Sequence, residues 1–361
     1  MENKKIRVAI THGDTNGIGY ELIFKTFADA EMLELCTPIV YGSPKLAAYH
    51  RNALNMEASF SIINRAEDAE EGRVNLLTCF DDEVKADIGT PTPESGQAAL
   101  QALDRAMTDY RKELFDALVC LPVSNAHINV GGTPFKGHAE YITTCLGEGR
   151  KALPVYLTES MRMAIAADGV AMKDVPQILS ESYLETAVKT LHEALRRDLR
   201  VYNPRIALLA LNSNADGNEE NEVMRPVVKK LNDQKVGVFG PYPADTFFGE
   251  QQYKVFDLVL AIYHDQGIVP LKTLSYDQAH IAYCGLPLVC TTTDDTPRFD
   301  IAGKGVADEG SFRQAIYSAI DIVRNRQTFD EPLANPLPKL YHERRDESEK
   351  IRFNIPKKKE E

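Results

Sequence analysis

The chain has 361 residues, enough for two or three domains or for two lobes of one enzyme. Apolar residues make up 43% and charged residues 26%, the balance of an ordinary globular protein rather than a disordered or fibrous one. Acids outnumber bases 53 to 41, and the resulting charge of −12 argues against general nucleic-acid binding, which needs a basic face.

The predicted elements alternate. Residues 6–10 are a short β-branched run, so a strand is expected there, followed by a glycine-containing loop and a helix over 18–27. Residues 38–41 read as the next strand, ended by Gly42-Ser43-Pro44. Ser95 is placed to cap a helix whose apolar residues Ala99, Leu100, Leu103, Ala106, Met107 and Tyr110 recur at helical spacing. A buried strand over 115–121 stops at Pro122. Further strands are expected at 205–211, 236–239 and 255–263, with helices at 182–195 and 221–231 between them. The last strong element is a helix near 311–324, after which Pro332, Pro336 and Pro338 break the pattern. From Tyr341 the chain is dense in charge and reads as a disordered tail. Strands separated by helical spans predict a layered α/β protein with a largely parallel sheet.

No apolar run approaches the roughly 20 residues of a membrane helix. The first five residues lead straight into a strand-like segment, without the apolar stretch of a secretory signal. Six cysteines with no C-x-x-C pair read as reduced thiols of a cytoplasmic protein.

Four segments can carry chemistry. Thr11-His12-Gly13-Asp14-Thr15-Asn16-Gly17-Ile18-Gly19-Tyr20-Glu21 follows a strand and opens a helix, where free N–H groups can face an anion. Its G-x₃-G-x-G spacing is neither a P-loop nor a dinucleotide fingerprint, and a tight β–α turn accounts for it equally well. Gly137-His138-Ala139-Glu140 puts an imidazole in a glycine-containing loop. In Leu260-Ala261-Ile262-Tyr263-His264-Asp265-Gln266-Gly267 a buried strand emerges into polar side chains, at the strand end where open α/β sheets place their sites. Imidazole with carboxylate there suits metal binding or proton transfer, and Lys272 can neutralise a phosphate or carboxylate. Asp294, Asp295 and Asp300, before Ala302-Gly303-Lys304-Gly305, suit a cation or a ribose, although a solvated loop is the stronger reading.

Together these segments, with Gly240-Pro241-Tyr242-Pro243-Ala244-Asp245 and Gly285-Leu286-Pro287, resemble the 4-hydroxythreonine-4-phosphate dehydrogenase family of vitamin B6 biosynthesis, from about residue 6 to 326. The resemblance implies a homodimer of two-lobed α/β/α subunits with largely parallel sheets, like isocitrate and isopropylmalate dehydrogenases. The first lobe is expected over 1–125 plus 300–330, the second over 126–299, and a charged tail over 331–361. The implied reaction is NAD-dependent oxidation of a secondary alcohol in a phosphorylated hydroxy acid, followed by loss of CO₂. A divalent metal (Mg, Mn, Zn or Co) would stabilise the developing charge. Residue by residue, the resemblance puts substrate-binding roles on His138 and Lys272, and metal-binding roles on His264, Asn214 and Asp168. The third metal position falls on Asp168 or Gly169, depending on a one-residue slip. The family's histidine–threonine pair is His138-Ala139 here, its lysine after Pro122 falls on Asn125, and its phosphate-side asparagine and arginine fall on Ile281 and Cys290. An active dehydrogenase is the leading expectation. The alternative is a pseudoenzyme or metabolite-binding homologue that lost two metal histidines and part of its phosphate site. The resemblance assigns no catalytic residue and no NAD contacts.

Overall fold

The structure is a computed structural model that describes residues 5–80, 84–147, 151–275 and 279–335. In chain order the strands are β1 Arg7–Thr11, β2 Thr37–Gly42, β3 Ser61–Ile63, β4 Asn75–Thr78, β5 Ala117–Cys120, β6 Asn129–Val130, β7 Thr133–Pro134, β8 Leu153–Leu157, β9 Arg162–Ile165, β10 Ile206–Leu209, β11 Val238–Tyr242, β12 Leu258–Ala261, β13 His280–Cys284 and β14 Val289–Thr293. The α-helices are α1 Gly19–Phe27, α2 Met32–Leu35, α3 Pro44–Leu54, α4 Pro93–Tyr110, α5 His138–Leu146, α6 Val175–Ile178, α7 Glu181–Arg197, α8 Arg225–Asp233, α9 Ala244–Gly249, α10 His264–Leu274 and α11 Gly310–Ala334.

Twelve strands join one sheet in the order β11-β10-β12-β9-β8-β13-β14-β5-β1-β2-β4-β3. The pairings are parallel except β8–β9, β8–β13 and β13–β14. The α/β, largely parallel fold expected from the alternation is therefore present. Strand side chains alternate between faces. Val8 and Ile10 of β1 join one apolar cluster and Ala9 the other. Leu258 and Leu260 of β12 likewise separate from Val259 and Ala261. Both faces are covered, as parallel strands require.

Two local expectations need correction. The α4 cap is Thr92, not Ser95; Ser95 sits three residues on and completes a reciprocal capping box, its N–H donating to Thr92 Oγ1 at 3.1 Å. The last helix does not end near residue 324 but runs through Pro332 to Ala334. Its C-terminal half is fastened to α7. Arg326 donates to both Asp198 oxygens at 2.7 and 2.8 Å, and Arg197 donates to Asp330 at 2.9 Å. A proline this close to a helix end removes one hydrogen bond without stopping the helix. The helix expected at 221–231 is present, as a π-helical stretch, Glu219–Met224, that continues into α8. The tail from residue 336 lies outside the described residues.

Candidate active site

The central strands β14, β5 and β1 are parallel neighbours, so their C-terminal ends open on one rim of the sheet. The Thr11–Glu21 loop crosses that rim. Gly13 has φ +75°, and a Cβ there would lie 2.6 Å from the Pro122 carbonyl oxygen, so only glycine lets the loop pass the end of β5. Asp14 N–H then donates to Pro122 O at 2.9 Å, and Ile18 N–H to Pro297 O at 3.1 Å, tying β1, β5 and the segment after β14 together.

The loop holds buried polar atoms with no partner among the described residues: Thr11 Oγ1, both His12 ring nitrogens, Asp14 Oδ2 and Thr15 Oγ1. Burial holds the His12 imidazole neutral, its pKa lowered to about 3, with the nearby His50 adding to the effect. Burial also raises the Asp14 carboxyl above its ordinary value.

His138 opens α5 and is buried, its ring edge-on to Phe135 at 5.9 Å. Burial lowers its pKa to about 4. A Cβ on the preceding Gly137 would stand 3.8 Å from Asn125 Nδ2, so the start of α5 abuts the turn after β5.

On α10, Lys272 reaches Asp294 at the end of β14, with 3.0 Å between Nζ and Oδ2. Burial raises the Asp294 carboxyl, and Lys272 and His264 partly counteract it. Asp295 is raised to about 6, by burial first and then by the charge of Asp294. These two acids are therefore not a solvated loop; only Asp300, paired with Arg298 at 3.1 Å, is exposed. They line a cavity of about 370 Å³ with Ile18, Lys272, Arg298 and Asp308. Asp295 Oδ2 is buried without a partner, an acceptor left for a ligand hydroxyl.

His264 begins α10, where Gln266 bridges two strand ends by accepting from Ile262 N–H at 2.7 Å and donating to Ala210 O at 2.6 Å. Gly267 lets the helix close on β9: a Cβ there would meet Ile165 at 2.6 Å. The structure brings His264 and Asp168 together, with 2.9 Å between Nδ1 and Oδ1. Asn214 lies in an exposed turn beyond β10, the neighbour of β12, and no hydrogen bond joins it to either residue. Among the described residues no three His, Cys, Asp or Glu side chains gather as a metal centre. Such donors do not make a three-imidazole or thiolate cage for zinc or cobalt. The donor types the resemblance names, an acid, an amide and one imidazole, are those that suit a hard ion such as magnesium or manganese, but of the three the structure brings only Asp168 and His264 together.

Ile281 and Cys290, at the positions where the resemblance expects an asparagine and an arginine, are buried in an apolar cluster with Cys120 and Tyr156. Sequence reasoning passed over His127, in the turn after β5, whose Nδ1 is 2.7 Å from Ser124 Oγ. The resemblance reads that stretch only at Asn125, two residues before His127.

The chain matches the family described as pyridoxal phosphate biosynthetic protein PdxA over residues 34–319. A 4-hydroxythreonine-4-phosphate dehydrogenase of Bacteroides thetaiotaomicron is 44% identical over 98% of this chain and 99% of that protein. The chain belongs to the PdxA family. Solved structures agree. A 4-hydroxythreonine-4-phosphate dehydrogenase from Klebsiella pneumoniae superposes with a TM-score of 0.75 at 26% identity, covering 89% of this chain and 99% of that one. One from Burkholderia phymatum gives 0.72 at 28% identity, covering 89% and 99%. The family expected from the sequence is thus the family found. Its relatives are named as dehydrogenases, so the chain is an enzyme, and the pseudoenzyme alternative is not favoured. No described helix is long and apolar enough to cross a membrane.

Proposed function

We propose that this PdxA-family enzyme oxidises the secondary alcohol of 4-phosphohydroxy-threonine, or of a closely related phosphorylated hydroxy acid, with NAD as oxidant and loss of CO₂ from the β-keto acid. The observation that carries the reading is the Lys272–Asp294 pair on the wall of the 370 Å³ cavity, a cation held beside a half-buried, partly unpartnered acid cluster. Lys272 holds the substrate's phosphate or carboxylate by charge-assisted hydrogen bonds. His138, neutral because it is buried, donates a ring N–H to a substrate oxygen or accepts from a substrate hydroxyl, without a competing charge.

Asp295, with its orphaned oxygen, and Asp308 suit the ribose hydroxyls of the dinucleotide. NAD, when bound, supplies the hydride acceptor. Asp168 and His264, with Asn214, are the residues to hold a magnesium or manganese ion, which would polarise the substrate's alcohol and carboxylate oxygens. The reading includes a cytoplasmic homodimer, with lobes over 1–125 plus 300–330 and over 126–299.

The test is dinucleotide reduction by purified protein with 4-phosphohydroxy-threonine, and with the analogue lacking the amine, in the presence and absence of magnesium. Turnover with either supports the reading. Folded protein that reduces no dinucleotide with either substrate removes it.

A further inference from the structure

Oxidising an alcohol releases a proton as well as a hydride, so some group must take the proton. Asn125, the first residue of the turn after β5, carries only a neutral amide that does not titrate. Two residues on, His127 is half-buried at the same strand end. Its main chain is locked: a Cβ on Gly96 of α4 would lie 2.4 Å from the His127 carbonyl oxygen, so α4 packs directly on this turn. Its ring is held by Ser124, with Oγ 2.7 Å from Nδ1. Nε2 makes no hydrogen bond with any described residue. The buried Asp14 carboxylate is within electrostatic reach of the ring.

We propose that His127 is the proton acceptor of the oxidation, with Ser124 and Asp14 as its positioning residues; this rests on the dehydrogenase reading above. With Nδ1–H donating to Ser124 Oγ, the lone pair sits on Nε2. The substrate O–H bond breaks and its proton goes to Nε2. The adjacent C–H bond breaks and its electron pair leaves with the hydrogen to the oxidised nicotinamide ring. The C=O bond forms between them. The products are a ketone, the reduced dinucleotide and an imidazolium, which the Asp14 charge stabilises.

The neighbouring imidazole is unsuited to this task. His138 is buried against Phe135, and burial opposes the positive charge that proton uptake would create. His264 lies on another strand end and already engages Asp168 through Nδ1.

The experiment compares wild-type enzyme with His127→Gln, His127→Ala and Ser124→Ala. The proposal expects kcat to fall roughly 10²–10⁴-fold in both His127 variants. Substrate and NAD dissociation constants, read by calorimetry, should change less than about threefold, and added imidazole should partly restore His127→Ala. Apart from turnover, ¹⁵N spectra of the ligand-free protein should show the Nδ1–H tautomer at His127 and its loss in Ser124→Ala. Unchanged kcat in His127→Gln overturns the proposal alone and leaves the dehydrogenase standing. So does a fall matched by weaker substrate binding with no imidazole rescue, which would make His127 a binding residue. Wild-type protein that oxidises no alcohol removes the reading beneath the proposal and the proposal with it.

Discussion

Lys272 is the cation assigned to the substrate's anionic group, yet Asp294 already holds it. Asp294→Asn keeps the shape and removes the competing charge. At 3.0 Å and an effective dielectric near 20, the gross attraction is roughly 5 kcal/mol. The Lys272 side chain is 36% exposed and that of Asp294 15%, so solvent screening reduces the net worth of the pair to about 1 kcal/mol. An incoming phosphate must outcompete that pair and also approaches a carboxylate of its own sign. Removing both obstacles should tighten anion binding by about 1.4 kcal/mol, or roughly tenfold. Calorimetric titration with inorganic phosphate and with 4-phosphohydroxy-threonine measures it. The gain should shrink as salt rises and vanish in Asp294→Asn combined with Lys272→Met. The titration of Asp295 should also move down, because the charge of Asp294 helps to raise it. Weaker or unchanged phosphate binding in Asp294→Asn would refute the reasoning and make Asp294 a residue that orients Lys272 rather than one that competes for it.

Other outcomes follow from the same geometry. Arg326→Met strands the buried Asp198 carboxylate at the end of α7 and should cost about 3–5 kcal/mol in denaturant unfolding, with most of it recovered when Asp198→Asn is added; a loss below about 1 kcal/mol would contradict the burial. The His138 pKa falls from 6.5 in the unfolded chain to about 4 in the fold, so its contribution is intact above pH 6.5 and is lost as pH falls toward 4, where the unfolded state binds the extra proton. That is about 3 kcal/mol at most, and His138→Gln should lose correspondingly less stability than wild type between pH 7 and 4.5. Asp168→Asn should weaken magnesium or manganese binding at least tenfold by direct titration of the protein with substrate present, while leaving the melting temperature within about 2 °C; equal ion affinity in the variant would exclude Asp168 as a ligand.

Much of the sheet was readable because β1, β2, β5, β10 and β12 are compact β-branched or apolar runs set off by turns. The middle of the sheet was not. His280-Ile281-Ala282-Tyr283-Cys284 is buried along its whole length, so it shows no period-two alternation. The short β8 and β9 pair antiparallel, against the parallel pattern set by the rest. The site divides in the same way. His264 and Asp168 lie 96 residues apart and meet only because β9 and β12 are sheet neighbours, which spacing alone does not reveal. Asp294 and Asp295 look like surface acids in the sequence, but their position at the end of a central strand half-buries them. His127 is not legible in the sequence because what surrounds it, the Ser124 hydroxyl at Nδ1 and the charge of Asp14 further off, comes from a non-repeating turn and a distant loop.

The most direct test of the account is the absorbance of reduced dinucleotide when the purified protein meets NAD, magnesium and 4-phosphohydroxy-threonine, with Lys272→Met and His264→Ala beside it. The account predicts turnover by the wild type, a KM at least tenfold higher in Lys272→Met, and strong impairment in His264→Ala. A folded wild-type protein that produces no reduced dinucleotide, or a Lys272→Met variant with unchanged KM, would contradict it.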